Sequence, residues 1–387
     1  MFTTSDRDHL QIQLQQQSHP RTVHHTRKMS NNITSADSWS LYPYDPNKAA
    51  PIAFAVLLTL IALTQIYQSF IRFYWRAFGG VMTWASLVWI AGFICRSISV
   101  RQVQTIGLFI AQYVLVLMGP PLYSAAEYFI LGRLLGYLPY HTPIHPGRVL
   151  STFILLSTVV ETLTGSGAGN SAGTGRDPAQ KKIGLDLVKS ALILQCFVEV
   201  FFFSLVATVE IRCRKAKNFP MNVRKVCYLL YITSAMVLLR CIVRTIEGFE
   251  ASACAPDRED PYCGPVSRNE WFLWTFEVSN ITLFVILLCV FHPGNYLPRD
   301  SLVFLDQTDG KTERVGPGFS KADKRPLLRT VIDPFNIAGI LTGKGLTLHK
   351  FWEESWPAYD GQRIVRPQSE PDNVERSSVI VDGSGKK

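Results

Sequence analysis

The chain has 387 residues, of which 47% are hydrophobic and only 18% charged, and its formal net charge is +9. A soluble chain is nearer one quarter charged. Here charge gathers in the C-terminal tail and in short loops, while several uncharged runs reach the roughly 20 residues that a helix needs to cross a hydrocarbon core. That pattern excludes a soluble globular enzyme, a disordered regulator and a small disulfide scaffold.

Residues 1–48 lack an apolar core long enough for a secretory signal. "QIQLQQQ" (Gln11–Gln17) and the His-rich stretch after it read as an unstructured polar tail. Asn32-Ile33-Thr34 within it is a glycosylation sequon. The first span is Ala49–Ile71, bounded by Lys48 and Arg72, and the second is Ala77–Cys95, between Arg76 and Arg96. The third, Gln102–Ala126, contains Gly119-Pro120-Pro121, which should kink or break a helix. The fourth, Val149 to about Gly169, contains Glu161. The fifth, about Leu187–Val209, holds Lys189 and Glu199; the sixth, Val226–Ile246, holds Arg240 and Arg244; the seventh, Trp271–Pro293, holds Glu277. The glycine-rich Gly165–Gly175 between spans four and five lacks the terminal Lys-Ser/Thr of a phosphate loop and reads as a flexible loop.

Basic residues in short loops set orientation. Glu210–Lys225 holds six, whereas the loop between spans six and seven holds Arg258 and Arg268 amid four acids. The expected architecture is an all-α membrane protein with seven transmembrane helices, N-terminus outside and C-terminus cytoplasmic. Residues 1–48 form an extracellular disordered tail, 49–294 the seven-helix domain, and 295–387 a cytoplasmic, largely disordered tail. Fourteen basic and thirteen acidic residues nearly cancel in that last segment, and Ile340–Trp356 is a candidate interfacial stretch. Six of the eight cysteines lie in or beside spans. Cys254 and Cys263 lie in the acidic outer loop, where disulfides persist, and are expected to pair.

Charged groups at membrane depth are costly and mark function. Arg240, Arg244 and Glu247 are spaced four and three apart and share one face of span six. In the N-out arrangement that face lies in the outer half of the bilayer, level with Glu277. Glu161 lies in the outer half of span four, Arg96 ends span two at the outer surface, and Glu199 falls near mid-membrane. These residues could form an outward-open pocket in which two arginines beside carboxylates hold an amphiphile with a charged or hydroxylated head group. A purely structural ion-pair network is the alternative. No nucleophile, metal-ligand or nucleotide motif is legible, so the reading is a non-enzyme without metal or cofactor. Its partners are membrane lipids or amphiphilic small molecules and not nucleic acid, and its oligomeric state is open.

"LYPYDPNKAAPIAFAVLL", "GPPLYSAAEYFILGR", "LRCIVRTIEGFEA", "EWFLWTFE" and "HPG" occur in order over about residues 42–297. Together they resemble the fungal lipid-translocating exporter family, seven-span proteins of the resistance-to-aminocholesterol type. The family's Arg-x-x-Tyr-Arg-x-x-Glu falls on Arg240, Arg244 and Glu247, with Val243 replacing the tyrosine. Its span-seven acid falls on Glu277, its Gly-Arg on Gly132 and Arg133, and its Gly-x-x-x-Arg on Gly92 and Arg96. Tyr128 and Gln195 also match. The chain departs from the pattern at Gln65, where a histidine is usual nearby, at Trp89 in place of a glutamate, and at Ser157 and Thr164 in place of Asp and Gln. The resemblance implies movement or export of sphingoid bases, sterol-like amines or similar stress compounds across the plasma membrane. A seven-span receptor or sensor for an amphiphile is the other reading.

Overall fold

A computed structural model describes residues 45–102, 105–142, 146–172, 177–216, 220–253, 264–317 and 351–361. The Asn32 sequon and the Cys254–Cys263 pair lie outside these residues, as does most of Ile340–Trp356.

Seven long helices follow one another among the described residues: α1 (Ala50–Ile66), α2 (Arg76–Ser99), α3 (Ile106–Tyr137), α4 (Pro146–Ala172), α5 (Pro178–Lys215), α6 (Met221–Ala253) and α7. The last is built from Glu270–Phe272, a π-helical stretch Leu273–Ser279, and Asn280–Val290. A π-helical stretch, Tyr67–Arg72, continues α1; with it, all except α4 are long and apolar enough to cross a membrane, and the chain is a multi-pass membrane protein. Local chemistry sets several starts. The Asn47 carboxamide oxygen accepts from the backbone N–H groups of Ala49 and Ala50 at 2.9 and 3.0 Å, and Pro51 occupies the first turn of α1. Pro178 opens α5 directly after Asp177.

Neighbours in sequence pack side by side from α1 to α7, α7 closes against both α6 and α1, and α3 meets α6 across the bundle. Outward positions carry bare apolar groups such as Leu60, Trp84, Phe197 and Val290, the surface that lipid chains cover. Inward positions carry Trp89, Phe93, Tyr123, Phe153 and Phe202, all fully buried. With lipid as apolar as the core, close backbone approach has to hold such helices together. Where α4 meets α5, a Cβ on Gly167 would lie 2.7 Å from the Gly184 carbonyl oxygen, and one on Gly184 would lie 2.7 Å from that of Gly167. The glycine-rich segment expected to be a flexible loop is therefore helical as far as Ala172. Its small residues are a packing surface.

Past α7, Val303–Leu305 (β1) and Glu313–Val315 (β2) pair antiparallel, with Phe304 opposite Arg314. Asp306 accepts from Thr308 N at 2.9 Å, and Asp309 accepts from Lys311 N and Thr312 N, both at 3.0 Å, across a turn with Gly310 at φ +60°. The later segment joins this hairpin: Val315 N donates to Pro357 O at 3.0 Å and Tyr359 N to Glu313 O at 2.7 Å. The unit docks on the end of α3, where Tyr137 donates to Glu313 at 2.9 Å and Arg133 to the carbonyls of Pro298 and Arg299 at 2.7 and 2.9 Å. These described parts of 295–387 are folded.

Candidate functional site

The site begins with a backbone defect. Pro120 and Pro121 both lie inside α3, and a helical proline leaves the carbonyl four residues earlier without its N–H partner. The two freed carbonyls are those of Val116 and Leu117. The buried Trp89 indole donates to Val116 O at 3.1 Å, and the Arg240 guanidinium reaches Leu117 O at 3.4 Å. Gly119 makes room for the indole, since a Cβ there would lie 2.1 Å from Trp89 Cδ1. Of the kink or break expected at Gly119–Pro121, the break does not occur: α3 runs on through both prolines, and side chains from α2 and α6 satisfy what they leave open.

Arg240 carries the defect's partner into an ion-pair network. Its Nη2 lies 3.2 Å from Glu277 Oε1, while Arg244 Nε lies 3.2 Å from Glu277 Oε2. Arg244 Nη1 also binds Glu247 at 2.6 Å, and its guanidinium stands 5.9 Å from the centre of the Tyr113 ring. Glu277 lies within the π-helical stretch of α7, an irregularity common at functional positions. Arg96, at the end of α2, binds Glu270 Oε1 at 2.8 Å and the Gln112 carboxamide at 3.2 Å, and it stands over Trp274 at 5.4 Å. The other Glu270 oxygen accepts from Asn47 N at 2.7 Å, which ties the start of α1 to the start of α7.

The three arginines, the three glutamates, Gln112 and Tyr113 line one cleft, open at its mouth, with Val243, Phe272 and Phe276 on its apolar side. Arg96, Arg240, Arg244, Glu247 and Glu277 thus share a single cavity. Glu161 does not join them. It lines a separate crevice with Glu199, Gln195 and Tyr128, because α4 reaches the bundle between α3 and α5 and has no close packing against α7. Reading the sequence missed Glu270 and Gln112: Glu270 passes for a loop charge, one residue ahead of the apolar run. Three guanidinium groups face three carboxylates, so the formal charges cancel. Arg240 Nε is buried without a hydrogen-bond acceptor, and Glu277 Oε2 is buried without a well-directed donor, so both keep capacity for a further polar group. A head group with an anionic or hydroxyl oxygen could compete with Glu277 for two guanidinium groups, and an amine could compete for the carboxylate.

Other motif residues have structural partners. Arg133 clamps the segment after α7, as described above. His292 stacks on Phe73 at 4.4 Å, accepts from Gly294 N at 3.1 Å and lies 3.4 Å from the Ser69 hydroxyl. Gln65 accepts from the Cys289 thiol at 2.7 Å. Among the described residues, no group of three His, Cys, Asp or Glu side chains is placed to hold a metal ion.

A protein of Leptosphaeria maculans named as a lipid-translocating exporter-like protein RTA1 is 32% identical over 301 residues, 75% of this chain and 57% of that protein. The chain thus spans little more than half the length of that relative. A protein of the same name from Ajellomyces capsulatus is 30% identical over 239 residues, 59% of this chain and 71% of its own. The protoporphyrin uptake protein 1 of Saccharomyces cerevisiae is 27% identical over 217 residues, 51% of this chain and 63% of its own. No solved structure matches. The pattern of the RTA1-like proteins matches residues 82–300, from the middle of α2 past the end of α7 and across every charged residue of the cleft, so the chain belongs to the RTA1-like protein family.

Proposed function

We propose that this chain moves lipid-like amphiphiles across the plasma membrane. The head group occupies the cleft of Arg96, Arg240, Arg244 and Glu277, and the hydrocarbon portion lies along the lipid-facing sides of the helices. The carrying observation is a buried, charge-balanced cleft in an apolar bundle whose Arg240 Nε and Glu277 Oε2 retain hydrogen-bonding capacity. A network serving stability alone gains from a well-directed partner for every such atom, because a poorly met one carries a desolvation cost. The names of two relatives as lipid-translocating exporter-like proteins support the same reading. Sphingoid bases and sterol-like amines suit the site, since an amine or hydroxyl head can meet Glu277 while the arginines meet neighbouring oxygens. Glu161 takes part as a polar wall of the adjoining crevice.

In this reading α4 crosses the membrane with the other six helices, because it packs between α3 and α5 along the bundle. The N-terminus is then outside, the cleft opens outward, and the hairpin lies in the cytoplasm. The test is resistance of fungal cells to toxic amphiphiles. Glu277→Gln and Arg244→Ala proteins that reach the membrane at normal levels are expected to lose resistance. Full resistance from both would reduce the cleft to a structural network.

A further inference from the structure

A second polar group lies deeper in the bundle, and the head-group cleft makes no use of it. Glu127, on α3, is fully buried, and neither of its carboxyl oxygens has a hydrogen-bond partner. Glu199, on α5, is 2% exposed; its Oε1 accepts from the Tyr128 hydroxyl at 3.1 Å, and its Oε2 has no partner. The two carboxyls are close enough to feel each other's charge. Thr233, which faces Glu127 from α6, directs its hydroxyl to Leu229 O at 2.9 Å, and the buried Ser234 hydroxyl beside it in sequence is unpartnered. A narrow crevice reaches Glu199, with Gln195, Ser157 and Glu161 on its walls.

Two adjacent unpaired anions at this depth would be doubly penalised, by loss of hydration and by mutual repulsion. A proton removes both penalties. The protonated carboxyl becomes a donor, and Thr233 Oγ1 has lone pairs free to accept from it. The surroundings supply little other compensation. Arg240, from α6, reaches Glu199 electrostatically, and it is already engaged by Glu277 and Leu117 O. Among the described residues, the other titratable groups facing the pair are Tyr128 on α3, Glu161 on α4 and Cys241 on α6.

We propose that Glu127 and Glu199 form a proton-binding site inside the bundle, and that proton uptake and release there drive amphiphile movement through Arg240. Uptake forms an O–H bond on the pair and leaves Arg240 with Glu277. Release returns the proton to water and leaves a carboxylate that draws the guanidinium inward, which loosens its hold on Glu277 and opens the head-group site. The coupling half rests on the translocation reading; the proton site does not.

The test uses the full chain in phosphatidylcholine vesicles, with a fluorescent sphingoid base as probe, under a pH gradient, a sodium gradient or neither. The pH gradient is expected to accelerate probe movement and the sodium gradient to leave it unchanged. Glu127→Gln and Glu199→Gln, which mimic the protonated acids in shape, should lose the acceleration. In parallel, infrared spectra of the full chain should show a buried carboxylic-acid band that the double variant lacks. Absence of that band from the unsubstituted chain overturns the proton site, and acceleration by sodium does so by assigning the carboxyls to a metal cation. Glutamine variants that respond to the pH gradient like the unsubstituted chain overturn the coupling. If no probe moves, translocation fails while the infrared band still decides the proton site.

Discussion

Arg240 joins three parts of the molecule that are far apart in sequence. It satisfies a carbonyl freed by Pro121, pairs with Glu277 on α7, and is the cation that Glu199 feels from below. This needs a planar fork with several donors, which lysine lacks. Arg240→Lys should therefore keep the charge yet leave Leu117 O or Glu277 unmet, and Arg240→Ala should leave the Glu277 carboxylate short of a partner. Breaking a buried pair in this way costs about 3–5 kcal/mol. Thermal unfolding of the purified variants checks the order: Arg240→Ala should melt lowest and Arg240→Lys between it and the unsubstituted chain. At this scale the sequence was informative where charge stood out against an apolar run, as at Arg240, Arg244, Glu247 and Glu277. It was silent at Glu270, whose burial arises from contact with Arg96 and Asn47, and at Glu127, which directly follows an uncharged run and resembles a boundary residue.

Elements that looked weak in the sequence owe their form to their neighbours. Gly119-Pro120-Pro121 reads as a break because local rules see only the missing N–H groups; Trp89 and Arg240, which replace those donors, are about 30 and 120 residues away. The Gly165–Gly175 stretch reads as a loop because glycine disfavours an isolated helix. The Gly167–Gly184 contact inverts that logic, since a side chain on either glycine would force α4 and α5 apart. Gly184→Leu should cost about 1–3 kcal/mol through overpacking, read as a lowered melting temperature with α-helical content retained after refolding on ice. A matching loss from an exposed substitution such as Lys182→Leu would contradict the contact. The hairpin has a pH signature. Hydrogen bonds from Lys311 N, Thr312 N and the Thr312 hydroxyl hold the Asp309 carboxyl down to about 2, below its ordinary value of 3.8. Its folded-state value is lowered, so its contribution is complete above about 4 and is lost as pH falls toward 2. Amide exchange in Lys311–Val315 should accelerate over that interval and stay flat with Asp309→Asn. Equal acid sensitivity in both proteins would place the transition elsewhere.

At the scale of the whole molecule, the bundle was legible because membrane helices announce themselves by length and apolarity: the spans expected second, fourth, fifth and sixth fall within α2, α4, α5 and α6, and the other three overlap α1, α3 and α7 but overrun an end. Ring closure was not legible, since α7 meets α1 through residues more than 200 positions apart. Nor was the folding of the post-span hairpin onto Arg133 and Tyr137, which depends on two side chains at the end of α3. The shared cleft follows from closure: Arg96 from α2, Arg240 and Arg244 from α6 and Glu277 from α7 converge only once the helices form a ring. The central claim is that this cleft binds the head group of a translocated amphiphile. The most direct measurement is the rate at which a labelled sphingoid base leaves fungal cells with and without the chain, alongside an Arg240→Ala protein present at equal membrane levels. Faster release with the unsubstituted chain, abolished by Arg240→Ala, is the predicted result. Release that is equally fast with Arg240→Ala would contradict it.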